Sequence, residues 1–319
     1  MRIKRFVIAL SLLSISISPL ASCEPIKELT KQELFSIYSD KIKDLHIPYI
    51  NTDKIKYDAF NSYSETVWYG AKEWNVACLH SDIRMEIDAI SGAVTGLHSS
   101  YISEKISGLN APVFEGGSRP VRDKESIIKE AEGYIRILHG RIPNDAFFEK
   151  VAYDNDSSGI DTKHFYEGKW QVDWGRKTCG YKYRFDGIRV TIHEKYGLAS
   201  YGYSFFSSPP QSLIVKVTKK EAIEKSKPFA KKMARLFSYK LGEALSAELQ
   251  IVNPNLFENS SRKLYSIGAK NYSKYSKSYT RLAWIVDFSW GYDKIFTKDY
   301  EPAHVWIDAE TGEILGGGS

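Results

Sequence analysis

The chain has 319 residues, 43% of them hydrophobic, with 44 Lys and Arg against 39 Asp and Glu for a formal charge of +5. That composition excludes a disordered chain and a strongly basic protein of the nucleic-acid-binding type. Beyond the N-terminus no stretch approaches the roughly 18 apolar residues that a further membrane span would need.

The first segment in chain order reads as a targeting signal. Arg2, Lys4 and Arg5 make a basic start, Phe6 to Ile17 an apolar run, and Leu20-Ala21-Ser22-Cys23 a small-residue end. This tetrapeptide resembles the lipobox of bacterial lipoproteins. The resemblance implies removal of residues 1–22, acylation of Cys23, and a protein exported to the bacterial cell envelope and lipid-anchored to a membrane. An ordinary signal peptide, cleaved near Ala21 or Cys23, is the alternative. Losing Arg2, Lys4 and Arg5 takes the formal charge from +5 to +2.

The rest of the chain repeats itself three times, giving modules over 23–110, 111–210 and 211–319. Each opens with a helix signal. Thr30-Lys31-Gln32-Glu33 and Thr218-Lys219-Lys220-Glu221 are capping boxes, and Asp123 caps the second helix. Apolar residues then recur at helical spacing: Leu34, Ile37, Tyr38, Ile42; Ile127, Ala131, Ile135, Leu138; Ala222, Ile223, Ala230, Met233. Pro228 predicts a kink or break in the third helix.

Strands follow. The expected set is Val67–Tyr69 and Trp74–Val76 in the first copy, then Phe147–Tyr153, Phe165–Trp174 and Tyr181–Phe185 in the second. The third has Leu249–Val252, Leu264–Ile267 and Leu282–Trp290. Each copy ends in a hairpin turning on glycine: Asp88-Ala89-Ile90-Ser91-Gly92, His193-Glu194-Lys195-Tyr196-Gly197 and Asp308-Ala309-Glu310-Thr311-Gly312. In the first and third, Asp is placed to bond back to the turn backbone; the second keeps only the glycine. Boundaries are expected near 108–112 and 207–210. The fold class is therefore α+β, with tandem modules that each pack a helix on an antiparallel sheet.

The Trp-x-Val strand and the Val305-Trp306-Ile307-Asp308-Ala309-Glu310-Thr311-Gly312-Glu313-Ile314 hairpin resemble the PepSY module. The third copy matches best, the first well at Ile87 to Gly92, and the second departs from the pattern. The resemblance implies no catalytic residues. It implies a secreted or membrane-anchored protein that inhibits, chaperones or regulates a peptidase. Such a protein would act by occluding a cleft or by strand addition at a sheet edge.

Chemical signatures are sparse. The sequence holds no His-Glu-x-x-His, Gly-x-Ser-x-Gly, Cys-x-x-Cys or phosphate loop, so no catalytic residue, metal or cofactor is expected. The seven histidines have no metal-ligand spacing. Asp154 to Gly159 begins like a calcium loop, but Phe165 stands where the closing Glu is needed. Asp88 and Asp308 read as turn residues. Cys78 and Cys179, an even pair once Cys23 is acylated, suit either a disulfide or two separate thiols. Over 262–281, Lys270, Lys274, Lys277 and Arg281 interleave with Tyr272, Tyr275 and Tyr279. That pattern suits an anionic envelope polymer or a membrane surface, or an edge hairpin guarded by lysines; export argues against nucleic acid as a partner. The expected function is non-enzymatic protein binding in the envelope, with polymer or membrane-surface binding as the alternative.

Overall fold

The computed structural model describes residues 27–47, 50–66, 72–79, 81–102, 120–154, 168–205, 207–236, 238–254, 280–291 and 303–318. The lipobox, Val67–Tyr69, Leu264–Ile267 and most of the Lys/Tyr segment lie outside them.

Among the described residues three α-helices form where the caps place them: α1 (Lys31–Leu45), α2 (Lys124–His139) and α3 (Lys219–Leu236). Thr30 and Glu33 bond reciprocally at the start of α1, as Thr218 and Glu221 do at the start of α3. The Asp123 carboxylate accepts from the Ser126 amide at 2.8 Å. These contacts satisfy amides that the first helical turn leaves without partners. Hydrogen bonding from the Thr30 and Thr218 amides holds the Glu33 and Glu221 carboxyls below their ordinary values. The break expected at Pro228 is absent, because α3 runs through it unbroken. Packing of Phe229, Ala230 and Met233 against the sheet outweighs the lost backbone bond.

Each helix is followed by a four-stranded antiparallel meander. The strands are β1 (Phe60–Thr66), β2 (Lys72–Cys78), β3 (Ile83–Asp88) and β4 (Val94–Ser99) in the first repeat. The second has β5 (Ala146–Asp154), β6 (Lys169–Thr178), β7 (Tyr181–His193) and β8 (Gly197–Tyr203), and the third β9 (Lys240–Val252), β10 (Arg281–Gly291), β11 (Ala303–Asp308) and β12 (Ile314–Gly318). The repeats agree residue by residue. Trp74 pairs with Ile87, Trp170 with Ile192 and Trp284 with Ile307. A register shift falls immediately before that isoleucine in all three closing hairpins. Gly92, Gly197 and Gly312 take the turn at φ of 72°, 81° and 74°, where a side chain would be strained.

The second repeat, which lacks the Asp-Ala turn in sequence, keeps it in structure. His193 Nδ1 accepts from the Lys195 and Tyr196 amides at 3.2 and 3.3 Å. Asp88 Oδ1 accepts from Ile90 and Ser91, and Asp308 Oδ1 from Glu310 and Thr311, at the same offsets. An imidazole nitrogen thus does what a carboxylate oxygen does in the other two copies.

All twelve strands belong to one sheet. The first two repeats join through their last strands, β4 and β8, which pair antiparallel as Gly96↔Gly202, Leu97↔Tyr201 and His98↔Ser200. Leu97 and Tyr201 each stand two residues past the unpaired residue of the hairpin bulge, Thr95 and Ala199, so the seam has an approximate two-fold axis. That axis puts α1 and α2 on the same face, where the Lys41 ammonium donates to the Ile137 carbonyl. Leu34, Tyr38 and Ile42 therefore share one core with Ile127, Ile135, Trp170 and Val190. Burying each such Ile or Leu contributes about 1.5–3 kcal/mol. The third repeat has its own core around Phe229, Met233, Val286 and Val305. It joins by a short parallel pairing of β9 with the start of β7, Lys182↔Gln250 and Tyr183↔Ile251.

Candidate functional site: a groove on the helix-free face

Strand alternation sends Val76, Met85, Val172 and Val190 toward the helices and their neighbours to the opposite face. That opposite face is largely polar in the first two repeats, while in the third Ile285 and Trp306 are buried on it. Its cross-strand pairs occupy equivalent positions: Ala77↔Arg84, Asp173↔Arg189 and Asp287↔His304. Arg189 Nε meets Asp173 Oδ1 at 2.9 Å, and His304 Nδ1 meets Asp287 Oδ1 at 2.7 Å. In the first repeat the acid is replaced by Ala77, and Arg84 turns instead to the Asn75 side-chain oxygen. Burial tends to raise the Asp287 carboxyl, yet bonds from His304 and Ser246 and the charge of Arg184 hold it below its ordinary value.

Between the first two repeats this face carries a groove of about 680 Å³. Its floor lacks side chains at Gly202, beside the seam with β4, and where Gly187 faces Gly175 across β7 and β6. A Cβ on Gly96 would come within 2.1 Å of a Glu86 oxygen, so that carboxylate lies over β4 toward the seam. A Cβ on Gly202 would meet nothing within 4 Å. Glu73, Glu86 and Asp173 line the groove together with Lys150, Arg184 and Arg189. Both signs of charge therefore face an open channel along the sheet.

The groove runs along β7 across the point where that strand forks. Along one edge β7 pairs first with β9 and then, from Ile188 onward, with β8. Ser204 closes the gap: its hydroxyl donates to the Phe185 carbonyl at 2.8 Å and accepts from the Gly187 amide at 3.1 Å. Behind it, the Arg176 guanidinium binds Asp145, Asp186 and the Ser207 carbonyl, and lies 4.5 Å from the centre of the Tyr183 ring. These bonds tie the connection into the third repeat to the sheet.

The structure places the residues singled out from sequence as follows. Cys78 is buried on β2, with its thiol pushed up by burial, and Cys179 is exposed in the β6–β7 turn. Both are free, so the disulfide between them is not formed: one belongs to the first core, the other to a hairpin tip. Arg281 does not face outward for a polyanion. Its guanidinium binds Asp308 at 2.7 Å and lies 3.9 Å from Glu310, and its side chain is 18% exposed. Lys270, Tyr272, Lys274, Tyr275, Lys277, Tyr279 and Cys23 lie outside the described residues. Asp88 and Asp308 each serve their own turn. Among the described residues no three His, Cys, Asp or Glu side chains are grouped to hold a metal. No described helix is long and apolar enough to cross a membrane.

Sequence reasoning missed the groove. Its signal was present as glycines inside strands at Gly96, Gly175, Gly187 and Gly202, positions that mark a close approach or an open surface. Chemically the groove offers charges of both signs beside Tyr183, Phe185 and Tyr203, which suit a polar segment with charges of both signs.

No protein-family model and no curated protein matches the chain. Among solved structures, the C-terminal domain of Bacillus megaterium YpeB is similar at 10% identity with a TM-score of 0.40, over 92% of this chain and 98% of that one. An uncharacterized protein from Eubacterium rectale is similar at 11% identity with a TM-score of 0.44, over 89% of this chain and 82% of that one.

Proposed function

We propose that this chain is a non-enzymatic lipoprotein of the bacterial cell envelope that binds an extended segment of another protein in the groove over the β4–β8 seam. The observation that carries the reading is the glycine-floored channel with acids and bases on its walls. The lipobox-like Leu20-Ala21-Ser22-Cys23 supports export and anchoring, and the resemblance to PepSY modules supports a secreted or membrane peptidase as the partner. Occupying a groove needs no reacting group; affinity comes from side-chain contacts, charged pairs and aromatic packing along the segment.

The test is a crosslinking pull-down from the native envelope with the tagged wild type and with Gly202→Tyr. A Cβ at 202 meets nothing within 4 Å, so a tyrosine there starts out into the open channel. Recovery of one stoichiometric protein by the wild type, reduced at least tenfold by Gly202→Tyr, is expected. If the tyrosine variant folds and recovers that protein equally well, the groove is not its binding site.

A further inference from the structure

The three helices occupy equivalent places in the repeats but do not carry equivalent charge. Helix α1 has three cations, Lys31, Lys41 and Lys43, against three acids. Helix α2 has Lys124, Lys129 and Arg136 against three acids. Helix α3 has seven cations, Lys219, Lys220, Lys225, Lys227, Lys231, Lys232 and Arg235, against only Glu221 and Glu224. The formal charge of the whole chain is +5, so this one helix accounts for as much net positive charge as the entire molecule carries.

Four of the seven cations share one side of α3. Ala222, Ser226, Phe229, Ala230 and Met233 are buried against the third core. On the opposite side Lys220, Lys227, Lys231 and Arg235 are all exposed, with Glu224 among them in an ion pair with Lys227 at 2.7 Å, so that side keeps a net charge of +3. At 3.6 residues per turn these four fall within about 80° of the helix circumference. The helix is about 27 Å long at 1.5 Å per residue, so the cations form a straight stripe rather than a pocket. Nothing in the fold asks for this: α1 and α2 pack the same kind of sheet with balanced charge. The buried face of α3 is already used, so the helix cannot insert into a bilayer; only its charged side is available.

We infer that the outer face of α3 docks the third repeat electrostatically on an anionic phospholipid surface. A flat anionic bilayer complements a straight stripe of flexible cations, whereas a compact phosphate ligand would need converging donors, and these four side chains diverge along the helix. Each Lys or Arg near such a surface adds to the attraction, and the effect falls off within a Debye length, about 8 Å at physiological salt. The inference stands on the charge and exposure of α3, independently of the groove and of acylation at Cys23. An N-terminal lipid would raise the local concentration of the helix at the membrane without supplying this contact.

The test uses the chain from Glu24 onward, which keeps every described element and carries no acyl chain. Binding is measured by co-sedimentation with phosphatidylglycerol–phosphatidylcholine vesicles and with phosphatidylcholine vesicles alone. The expected result is binding to the anionic vesicles at about 0.05 M salt, little to the neutral ones, and loss of binding at about 0.5 M. The quadruple variant Lys220→Gln, Lys227→Gln, Lys231→Gln, Arg235→Gln should weaken partitioning on the order of 100-fold with an unchanged circular dichroism spectrum. The variant Lys124→Gln, Lys129→Gln, Arg136→Gln on α2 should bind within about threefold of the wild type, since α2 carries balanced charge. Three results overturn the inference: no binding to anionic vesicles at low salt, full binding by the folded quadruple variant, or equal loss in the α2 variant. Retention on an anionic polymer such as polyphosphate, without vesicle binding, overturns it as well.

Discussion

At the residue scale, the closing turns show how a structural role survives a change of side chain. Asp88, His193 and Asp308 each offer one acceptor to amides two and three residues onward. His193 can do so only through an unprotonated Nδ1, because a protonated ring nitrogen donates and cannot accept. Replacing it with alanine strands both amides and should cost about 1 kcal/mol in urea unfolding. His193→Asp restores the acceptor found in the other repeats and should cost less than half as much. Equal damage from the two substitutions would mean that the imidazole matters for its packing on Tyr196 rather than for the turn. Sequence showed the aspartates in this role; it could not show that the histidine shared it, since the pattern of residue types differs and only the backbone reveals the common geometry.

At the element scale, the helices were legible and the strands only in part. Caps and apolar spacing are local, so α1, α2 and α3 begin where Thr30, Asp123 and Thr218 predict. Strand β1 has few apolar residues, with Tyr63 exposed, and gave no alternation to read. Strand β7 runs 13 residues because Tyr181–Phe185 continues directly into the buried Ile188, Val190 and Ile192, and β9 runs 13 because its ladder extends well before Leu249–Val252 through residues that bury little. The tenth residue after each cap is Asp40, Gly133 or Pro228, and sheet packing tolerates all three. Two of them leave helix stability unrealised. Gly133→Ala places a methyl where nothing lies within 4 Å and should stabilise by about 0.5–1 kcal/mol. Pro228→Ala restores a backbone bond and should add about 1–3 kcal/mol, read as a rise in the thermal midpoint. A fall in either midpoint would show that the helix needs its irregularity.

At the scale of the whole molecule, three repeats make one sheet with two kinds of joint. The β4–β8 seam merges two cores into one, while the β7–β9 joint is short and relies on side chains around it. Tyr183, Ile251, Leu282 and Ala309 form a small apolar cluster there, and Arg176 ties down the connection. Asp186 is 4% exposed, and it bonds both Arg176 and Ser207. Arg176→Met would leave that carboxylate buried without its cation and should cost about 3–5 kcal/mol in urea unfolding. The double variant Arg176→Met, Asp186→Asn removes the charge as well and should recover part of the loss. A cost below about 1 kcal/mol for the single change would mean that the connection is held by backbone and apolar contacts alone.

The sequence by itself determined the repeat, the helix starts, the turn glycines and the α+β class, because each is written in residues near one another in the chain. The tertiary structure alone decided that two repeats share a core, that Arg281 serves the Asp308 turn, and that Cys78 and Cys179 stay apart. It alone assembled the groove, whose charges come from strands in both repeats. Pairing between distant strands depends on which faces can be buried together, and no local pattern carries that choice.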